Sequence, residues 1–231
     1  AMVVSNGKIR ELGKRVYKDC EVSFLTLKDD IGHKTYVRTA LFVLLKAIYD
    51  VIGTKNIEKI KVEFSIGKSI YVSGTGSFLL DQKLVEQVKQ RMRELVQAHI
   101  PIEKTNYPTD EAIALFKKYH MEDKEMLFRF RRSSTINVYN IEDFHDYFYG
   151  YMLPNTSYIK YFDLELYENG FVINLPDKEE PTNVSSFKPR TKLFQTLLQA
   201  NEWGNSLGID TVGDLNNHIC AGNVSDLILV Q

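Results

Sequence analysis

The segment YFDLELYENGFVINLP, at positions 161–176, constrains the fold of this chain more than any other. Apolar and polar side chains alternate on both sides of Glu168-Asn169-Gly170, which is typical of two half-buried strands joined by a tight turn. A hairpin alone is only marginally stable in water, so further strands or a packing layer must accompany it. The segment therefore predicts an antiparallel sheet within a larger fold.

Three segments have helical periodicity instead. Apolar residues recur at helical intervals from Arg38 to Ile52, and Gly53 ends that pattern. DQKLVEQVKQRMRELVQ predicts a second helix from about Asp81, with four residues facing the core: Leu84, Val88, Met92 and Leu95. PTDEAIALFKKYH predicts a third helix with Thr109 as its N-cap, because acidic residues occupy its first turn and basic residues its last.

Further strands are predicted around these helices. KIREL and EVSFLTL alternate within residues 5–28, and we expect two strands there, joined by a turn around Gly13 and Lys18-Asp19. IEKIKVEFSI and SIYVSG follow the first helix, and MLFRFRR with STINVYN is expected to form a strand pair. Together the segments predict an α+β fold, with an antiparallel sheet packed by long helices, a short N-terminal β remnant and a C-terminal helical hairpin.

The C-terminal part of the chain differs in composition. PDKEEPTNVSSFKPR is polar, contains three prolines and has no periodicity, so it predicts an exposed linker. The segments TKLFQTLLQANEWGNSLG and TVGDLNNHICAGNVSDLILVQ predict the helical hairpin. The final LILVQ lacks a C-cap glycine and is interpreted as a helix cut short at the last residue.

Composition excludes several classes of protein. The 231 residues are 44% hydrophobic, which is enough for a sizeable core in a soluble globular protein. The net charge of −1 provides no global field toward nucleic acid or anionic lipid, so any nucleic-acid role must be local. Cys20 and Cys220 form no disulfide or metal pattern, and no signal or membrane segment is present. A cytoplasmic location is therefore predicted, with no membrane partner.

The tripeptide GKS at 67–69 is not a phosphate loop. That motif requires a glycine five positions before Gly67, where backbone amides wrap the phosphates, and this chain has Val62 there. KVEFSIGKS is therefore interpreted as a strand that runs into a surface turn.

The histidines do not predict a metal site. None of the five forms an HxxxH, HxH or Cys-His pair, whereas zinc needs three or four convergent donors; they are His33, His99, His120, His145 and His218. GxSxG is absent as well, and no catalytic residue is predicted within this chain.

The order of several segments resembles the threonyl-tRNA synthetases. EVSFLTLKDDIGHKTYVRTALFVLL resembles the junction between the TGS domain and the editing domain of that family. SIGKSIYVSG, QRMRELVQAHIPIEK, PTDEAIALFKKY and DFHDYFYGYMLPNTSYIKYF then follow in the order expected of the editing domain. The last segment is the most specific, because the family pattern there is Asp-Phe-x-Asp-x-Cys-x-Gly-x-His-x-Pro-Asn-Thr. Seven positions match it: Asp143, Phe144, Asp146, Gly150, Pro154, Asn155 and Thr156.

The chemical positions of that family do not match. Its two helix histidines fall on Arg38 and Phe42, its cysteine on Phe148 and its last histidine on Met152. Arginine is not a neutral base, phenylalanine has no donor or acceptor, and the methionine sulfur is a weak acceptor. The resemblance therefore implies a degenerate editing cleft, in which hydrolysis is lost and no metal is held. Its residues are Arg38, Phe42, Asp143, Asp146, Phe148, Met152 and Asn155.

A second resemblance is to bacterial uridine-kinase-like nucleoside kinases. Those proteins carry a TGS domain and a synthetase-like domain before a phosphate-loop kinase domain. YFDLELYENGFVINLPD, KLFQTLLQANEWG and TVGDLNNHI are similar to the stretch that leads into that domain. The resemblance implies three regions: residues 1–35 as the C-terminal part of a TGS-like β domain, 36–178 as the editing-like domain, and 179–231 as a linker and helical hairpin before a kinase domain absent from this sequence.

Three functions remain open from the sequence. The chain is interpreted first as a non-catalytic accessory region of an ATP-dependent nucleoside kinase, which regulates it, senses a ligand or joins subunits. Its partner is then its own kinase domain, and ATP and Mg²⁺ belong to that domain rather than to this chain. A nucleotide or amino acid is the candidate ligand. The alternatives are a stand-alone editing-like hydrolase of mischarged tRNA and an RNA-binding module.

Two local features bear on these alternatives. The basic patch of Arg129, Arg131, Arg132 and Lys160 lies among aromatic residues and could bind RNA, but it is also consistent with the charged face of an edge strand. Arg38 could clamp a carboxylate or phosphate through its planar guanidinium. An ion pair with Asp143 or Asp146 is the favoured alternative, because these acids are the nearest partners that the resemblance supplies.

Overall fold

The computed structural model describes residues 2–223, which form ten strands and six α-helices. The strands are β1 (Met2–Ser5), β2 (Lys8–Arg10), β3 (Val22–Leu25), β4 (Ile57–Ile66), β5 (Ser69–Gly76), β6 (Glu103–Pro108), β7 (Thr135–Ile141), β8 (Phe144–Asp146), β9 (Asp163–Tyr167) and β10 (Gly170–Asn174). The helices are α1 (Asp30–Ile52), α2 (Gln82–Gln97), α3 (Thr109–Lys118), α4 (Glu122–Arg129), α5 (Thr191–Ser206) and α6 (Val212–Cys220). The α+β class is confirmed. No helix within residues 2–223 is both long and apolar enough to cross a bilayer.

The chain divides into two compact units. The first contains residues 2–105 and 138–188, and the second contains 106–137 and 189–223. The three regions 1–35, 36–178 and 179–231 stay predictions. Strands β6 and β7 carry the chain across the borders, and the sheet order there is β6-β7-β8.

The N-terminal sheet differs from the prediction. The two predicted strands form as β2 and β3, but they do not pair with each other, because both flank β1 in the order β2-β1-β3. The missed strand begins a hairpin whose two-residue turn is Asn6-Gly7, both with positive φ. Asn-Gly is a strong signal for such a turn, so the sequence did contain the information.

Helix α1 is the central helix of the first unit. It begins at Asp30, before the predicted Arg38, because the Asp29 carboxylate accepts hydrogen bonds from the backbone and hydroxyl of Thr26 and fixes the preceding turn. It ends as predicted at Gly53, whose φ of 82° suits a residue without a Cβ. Thirteen of its residues are buried, which makes it part of the core on nearly all sides.

The main sheet has the antiparallel order β4-β5-β10-β9. The hairpin predicted at 161–176 is confirmed as β9 and β10, and the strands predicted at IEKIKVEFSI and SIYVSG form as β4 and β5. Ile66 pairs with Ser69, so Gly67 and Lys68 form a two-residue turn rather than a phosphate loop. Tyr167 pairs with Gly170 in the same way around Glu168-Asn169.

Helices α1 and α2 pack together, and α2 also packs on β9. Asp81 caps α2 by accepting from the Leu84 N–H. The buried residues of α2 are Val85, Val88, Met92 and Leu95, so Val85 replaces the predicted Leu84 at the core face. The first unit therefore provides a rigid framework of sheet and helices on which the candidate site is built.

The second unit consists largely of helices. MLFRFRR was predicted as a strand, but most of it lies in α4, whose first turn carries three acidic residues and whose Phe128 stacks on Phe116 of α3 with ring centroids 5.6 Å apart. Helix α3 begins at Thr109, with Pro108 rather than Thr109 as its N-cap residue. Helices α5 and α6 form in the two segments that were predicted to be helical, and α6 packs on α4. LILVQ lies outside the described residues.

Candidate functional site

The structure brings the four degenerate positions into one region of the first unit. Helix α1 carries Arg38 and Phe42, and the segment after β8 carries Phe148 and Met152. We call this segment, residues 147–153, the site loop. Its contacts with α1 determine whether a cleft exists there.

Aromatic rings fill the side of the site near Phe42. Phe42 is fully buried, and its ring centroid lies 5.4 Å from that of the half-buried Phe148 and 5.8 Å from that of Phe144. Phe144 in turn lies 5.0 Å from Tyr49 of α1. These contacts fix the site loop by apolar packing, so positions 42 and 148 act here as core.

Arg38 binds the backbone of the site loop. Its guanidinium Nη1 donates to the carbonyl oxygen of Tyr151 at 2.7 Å. Burial lowers the pKa of Arg38, and the nearby Tyr139 and Glu11 partly offset this effect. The predicted ion pair with Asp143 or Asp146 was wrong: the guanidinium donates to a backbone carbonyl, and Asp143 pairs with Lys46 instead.

Gly150 is required by this arrangement. Its φ is +123°, a conformation that side chains with a Cβ rarely adopt. A Cβ placed on Gly150 would lie 2.6 Å from Cζ of Arg38. The glycine therefore lets the guanidinium lie directly against the loop backbone.

Met152 is buried and contacts Thr39 of α1. The Thr39 hydroxyl lies 3.5 Å from the Met152 sulfur, donates to the Thr35 carbonyl at 2.8 Å and accepts from the Leu153 N–H at 3.0 Å. One threonine thus joins α1 to the end of the site loop. Sequence reasoning missed Thr39, since nothing in a lone helical threonine indicates such a partner.

The acidic residues of the motif serve as anchors. The carboxylate of Asp143 accepts from Nζ of the buried Lys46 at 3.0 Å, and Asp50 accepts from the same ammonium at 2.8 Å. The hydrogen bond from Lys46 lowers the pKa of Asp143. Burial alone would lower the pKa of Lys46, but its bonds to Asp50 and Asp143 outweigh burial and raise that pKa. Asp146 is fully buried and accepts from the Tyr147 N–H at 2.5 Å.

The Pro-Asn-Thr turn is structural as well. The Asn155 side chain accepts from the N–H and the hydroxyl of Ser157, and so caps a short 3-10 turn. The buried Thr156 hydroxyl donates to the Leu95 carbonyl at the end of α2 and accepts from the Ile100 N–H. These bonds explain in physical terms why the turn matches the family pattern although the reactive positions do not.

A further residue reaches the site loop from outside it. The Glu11 carboxylate accepts from the Met152 N–H at 3.1 Å and from the Tyr139 hydroxyl at 2.6 Å. Glu11 precedes Met152 by 141 positions, and no pattern in the sequence indicated this contact.

The predicted basic patch is divided between the two units. Arg129, Arg131 and Arg132 are exposed at the end of α4 in the second unit, while the exposed Lys160 belongs to the first. Arg129 donates to Glu125 at 3.0 Å, and Arg131 lies over the Phe128 ring. The predicted edge strand was therefore wrong, since Arg129 is the last residue of helix α4 and Arg131 and Arg132 follow that helix.

Metal ligands do not converge in the part of the chain that the structure describes. Residues 2–223 contain no group of three or more His, Cys, Asp or Glu side chains arranged to hold a metal ion. At the four degenerate positions themselves, the sulfur of Met152 is the single potential metal ligand.

No protein-family model matches this chain. It is similar to several threonine–tRNA ligases. The relative from Clostridium kluyveri is 28% identical over 158 residues, which cover 68% of this chain and 24% of the ligase. The relative from Syntrophotalea carbinolica is 28% identical over 164 residues, which cover 69% of this chain and 25% of the ligase. The relative from Thermotoga maritima is 26% identical over 168 residues, which cover 70% of this chain and 25% of the ligase.

A segment of this chain is therefore similar in sequence to part of the threonine–tRNA ligases. The similarity extends over about two thirds of the chain, which spans about a quarter of the length of these ligases. The resemblance to the TGS and editing regions is supported at this level, and the α+β architecture is consistent with it. None of the three relatives is a nucleoside kinase, so they favour a synthetase-related module over the kinase interpretation, which stays a prediction.

Proposed function

We propose that this chain is a non-hydrolytic module derived from a threonyl-tRNA synthetase editing region, which acts by binding or assembly within a larger protein. One observation carries the proposal. The residues at the four reactive positions of the resembling family are engaged by the chain itself: Arg38 with Tyr151, Phe42 with Phe148, and Met152 with Thr39.

The chemistry of these residues supports the loss of hydrolysis. Activation of water requires a group that can accept a proton near neutral pH, or a bound metal that lowers the pKa of the water. Arg38 remains protonated, and neither phenylalanine nor methionine can act as a base. The buried Asp146 accepts from its neighbouring backbone N–H, which is a positioning contact for the loop.

The assay that tests the proposal is deacylation of threonine tRNA charged with serine. We expect no turnover above the uncatalysed rate, under conditions in which an editing-active threonine–tRNA ligase hydrolyses the ester. Turnover that is abolished by Met152→Ala or Arg38→Ala would instead support the hydrolase alternative.

The nucleoside kinase context is the finer part of the proposal. It rests on the resemblance of 161–177, 192–204 and 211–219 to the stretch that leads into a kinase domain. In that context the module would regulate the kinase domain or assemble subunits, while ATP and Mg²⁺ would bind the kinase domain. The coding sequence after Gln231 tests this directly, because a phosphate loop must follow if the kinase context is right.

RNA binding is a second candidate, favoured by the exposed arginines at the end of α4. Arg129, Arg131 and Arg132 present three cations within four positions, next to the Phe128 ring. The relatives are tRNA ligases by name, and phosphate contacts of this type weaken steeply with salt. Gel-shift assays with a tRNA acceptor hairpin test the candidate: a triple Arg→Ala variant should lose binding, and the Lys160→Ala variant serves as the comparison.

A further inference from the structure

The Glu11 carboxylate lies in a built anion site. Oε1 accepts from the Tyr139 hydroxyl at 2.6 Å and from the Met152 N–H at 3.1 Å. Oε2 lies 3.4 Å from Nζ of Lys104, and the Glu11 side chain is only 14% exposed. One oxygen thus takes two neutral donors and the other an ammonium, which is a geometry that suits a planar carboxylate.

The donors belong to the candidate site rather than to the N-terminal sheet. Tyr139 is on β7, is 2% exposed and lies against the site loop, where its hydroxyl is also 2.7 Å from the Gly150 carbonyl. The Met152 N–H belongs to the site loop itself. Arg38 adds a second cation near the site; burial lowers the pKa of its guanidinium, and Tyr139 and the charge of Glu11 partly offset this effect.

Glu11 lies on a segment that is only loosely attached to the rest of the first unit. It directly follows β2, a three-residue strand that pairs with β1 alone at the edge of its sheet. Residues 13–19 after it are exposed and form no helix or strand. Withdrawal of Glu11 therefore breaks few other contacts, and Tyr139 can then donate to the Gly150 carbonyl instead.

The Met152 N–H, in contrast, donates to Glu11 alone among the described residues. A buried N–H without an acceptor is costly, so this donor favours replacement of Glu11 by another anion over an empty site. Lys104 also favours another anion over an empty site, because its ammonium loses the counter-charge of Glu11 when Glu11 withdraws.

We propose that Tyr139, Lys104 and the Met152 N–H form a binding site for a small carboxylate, which Glu11 occupies in cis. A free monocarboxylate, such as an amino acid or a simple organic acid, takes the site when Glu11 withdraws. Occupancy by the free ligand releases the segment after β2 from the site loop, so the site couples the N-terminal sheet to the loop.

Chemical rescue tests the site in the full chain. Glu11→Ala removes the resident carboxylate, and we expect its Tm to fall by roughly 5 °C, as for loss of hydrogen bonds to a charged group in a chain of this size. Sodium propionate should restore much of this loss, while sodium chloride at equal ionic strength should not. Wild-type protein should gain little from propionate, because Glu11 competes at high local concentration.

Two controls separate this site from a nonspecific effect. Glu103→Ala removes an exposed glutamate one position from Lys104, and its Tm should not respond to propionate. Adding Tyr139→Phe to Glu11→Ala should reduce the rescue, because a donor of the site is lost. Equal responses of wild type, Glu103→Ala and Glu11→Ala to propionate would overturn the proposal, as would equal rescue by chloride.

The ligand source is distinguished in the same assay. A larger shift of Glu11→Ala with threonine than with propionate assigns the site to amino acids, and the reverse assigns it to simple acids. Inorganic phosphate should not substitute, since a tetrahedral dianion does not match two neutral donors and one ammonium. If Glu11→Ala does not fold alone, refolding with propionate should recover folded protein, and failure to do so overturns the proposal.

Discussion

The ring of Phe148 packs against the ring of Phe42, with centroids 5.4 Å apart and planes inclined by 58°. In the resembling family, these two positions hold a cysteine and a histidine. The contact therefore replaces two polar groups by apolar packing between α1 and the site loop. Its energetic weight can be measured.

Phe42→Ala should reduce the free energy of unfolding by about 3–5 kcal/mol, as expected for a fully buried phenylalanine. Phe148→Ala should cost less, because Phe148 is only half-buried. Urea unfolding followed by fluorescence measures both. If Phe148→Ala left stability unchanged and also opened a ligand site, packing would not be the role of this position.

Gly150→Ala should destabilise the site loop through both backbone strain and a clash. Strain of this kind costs on the order of 1–3 kcal/mol, and the new Cβ would also displace the Arg38 guanidinium. Gly13→Ala is the matched control, because nothing lies within 4 Å of a Cβ placed there. Adding Arg38→Ala to Gly150→Ala should remove the clash but not the strain, so the double variant should be less unstable than the sum of the two single changes predicts.

Lys46→Met should destabilise the fold in a pH-dependent way. The substitution removes the ammonium that Asp50 and Asp143 share. Because both acids reach solvent, we expect the free energy of unfolding to fall by about 1–3 kcal/mol at pH 7, which is less than for a fully buried pair. Because the folded pKa of Asp143 lies below 3.8, the stabilisation is present above about pH 4 and is lost as pH falls through the folded pKa. The raised pKa of Lys46 keeps it charged to above pH 10.5.

Unfolding curves from pH 3 to pH 9, in buffers of constant ionic strength, test this dependence. The difference in free energy of unfolding between wild type and Lys46→Met should become smaller at the acidic end of this range. Lys68→Met serves as control, since the Lys68–Asp177 pair is solvent-exposed and should contribute much less. If this difference in free energy of unfolding stays constant from pH 3 to pH 9, Lys46 stabilises the fold by packing alone.

Purified protein should hold zinc only in substoichiometric amounts. The four degenerate positions provide one soft sulfur, and zinc sites are built from thiolate, imidazole and carboxylate ligands. Elemental analysis after dialysis gives the measurement. One tightly held equivalent of zinc per chain would mean that the site has been misassigned.

Local sequence patterns predicted much of the framework for clear physical reasons. The hairpin at Glu168-Asn169 and the end of α1 at Gly53 depend on local backbone preferences, which a short segment expresses by itself. MLFRFRR misled because alternating apolar and charged residues also suit a helix end, where Phe128 packs on Phe116.

The candidate site was predictable as a location but not as a set of contacts. The motif indicated that the loop after β8 meets α1, and the structure brings the loop and helix together. Which polar groups pair there depends on distant partners, such as Lys46 with Asp143 and Glu11 with Met152. Side chains that meet over about a hundred positions or more leave no local signal, so Arg38 was assigned to an acid rather than to the Tyr151 carbonyl.

The position of β10 in the main sheet also affects how the nascent chain folds during translation. Strand β5 pairs with β10, and the partners Ser69 and Asn174 are 105 positions apart. At elongation rates of about 5–20 residues per second, the growing chain exposes one edge of the β4–β5 hairpin for roughly 5–20 seconds before β10 emerges. An unpaired strand edge can associate with other chains during that interval. Nascent chains of this protein should therefore need chaperone protection most while residues 77–170 are being translated.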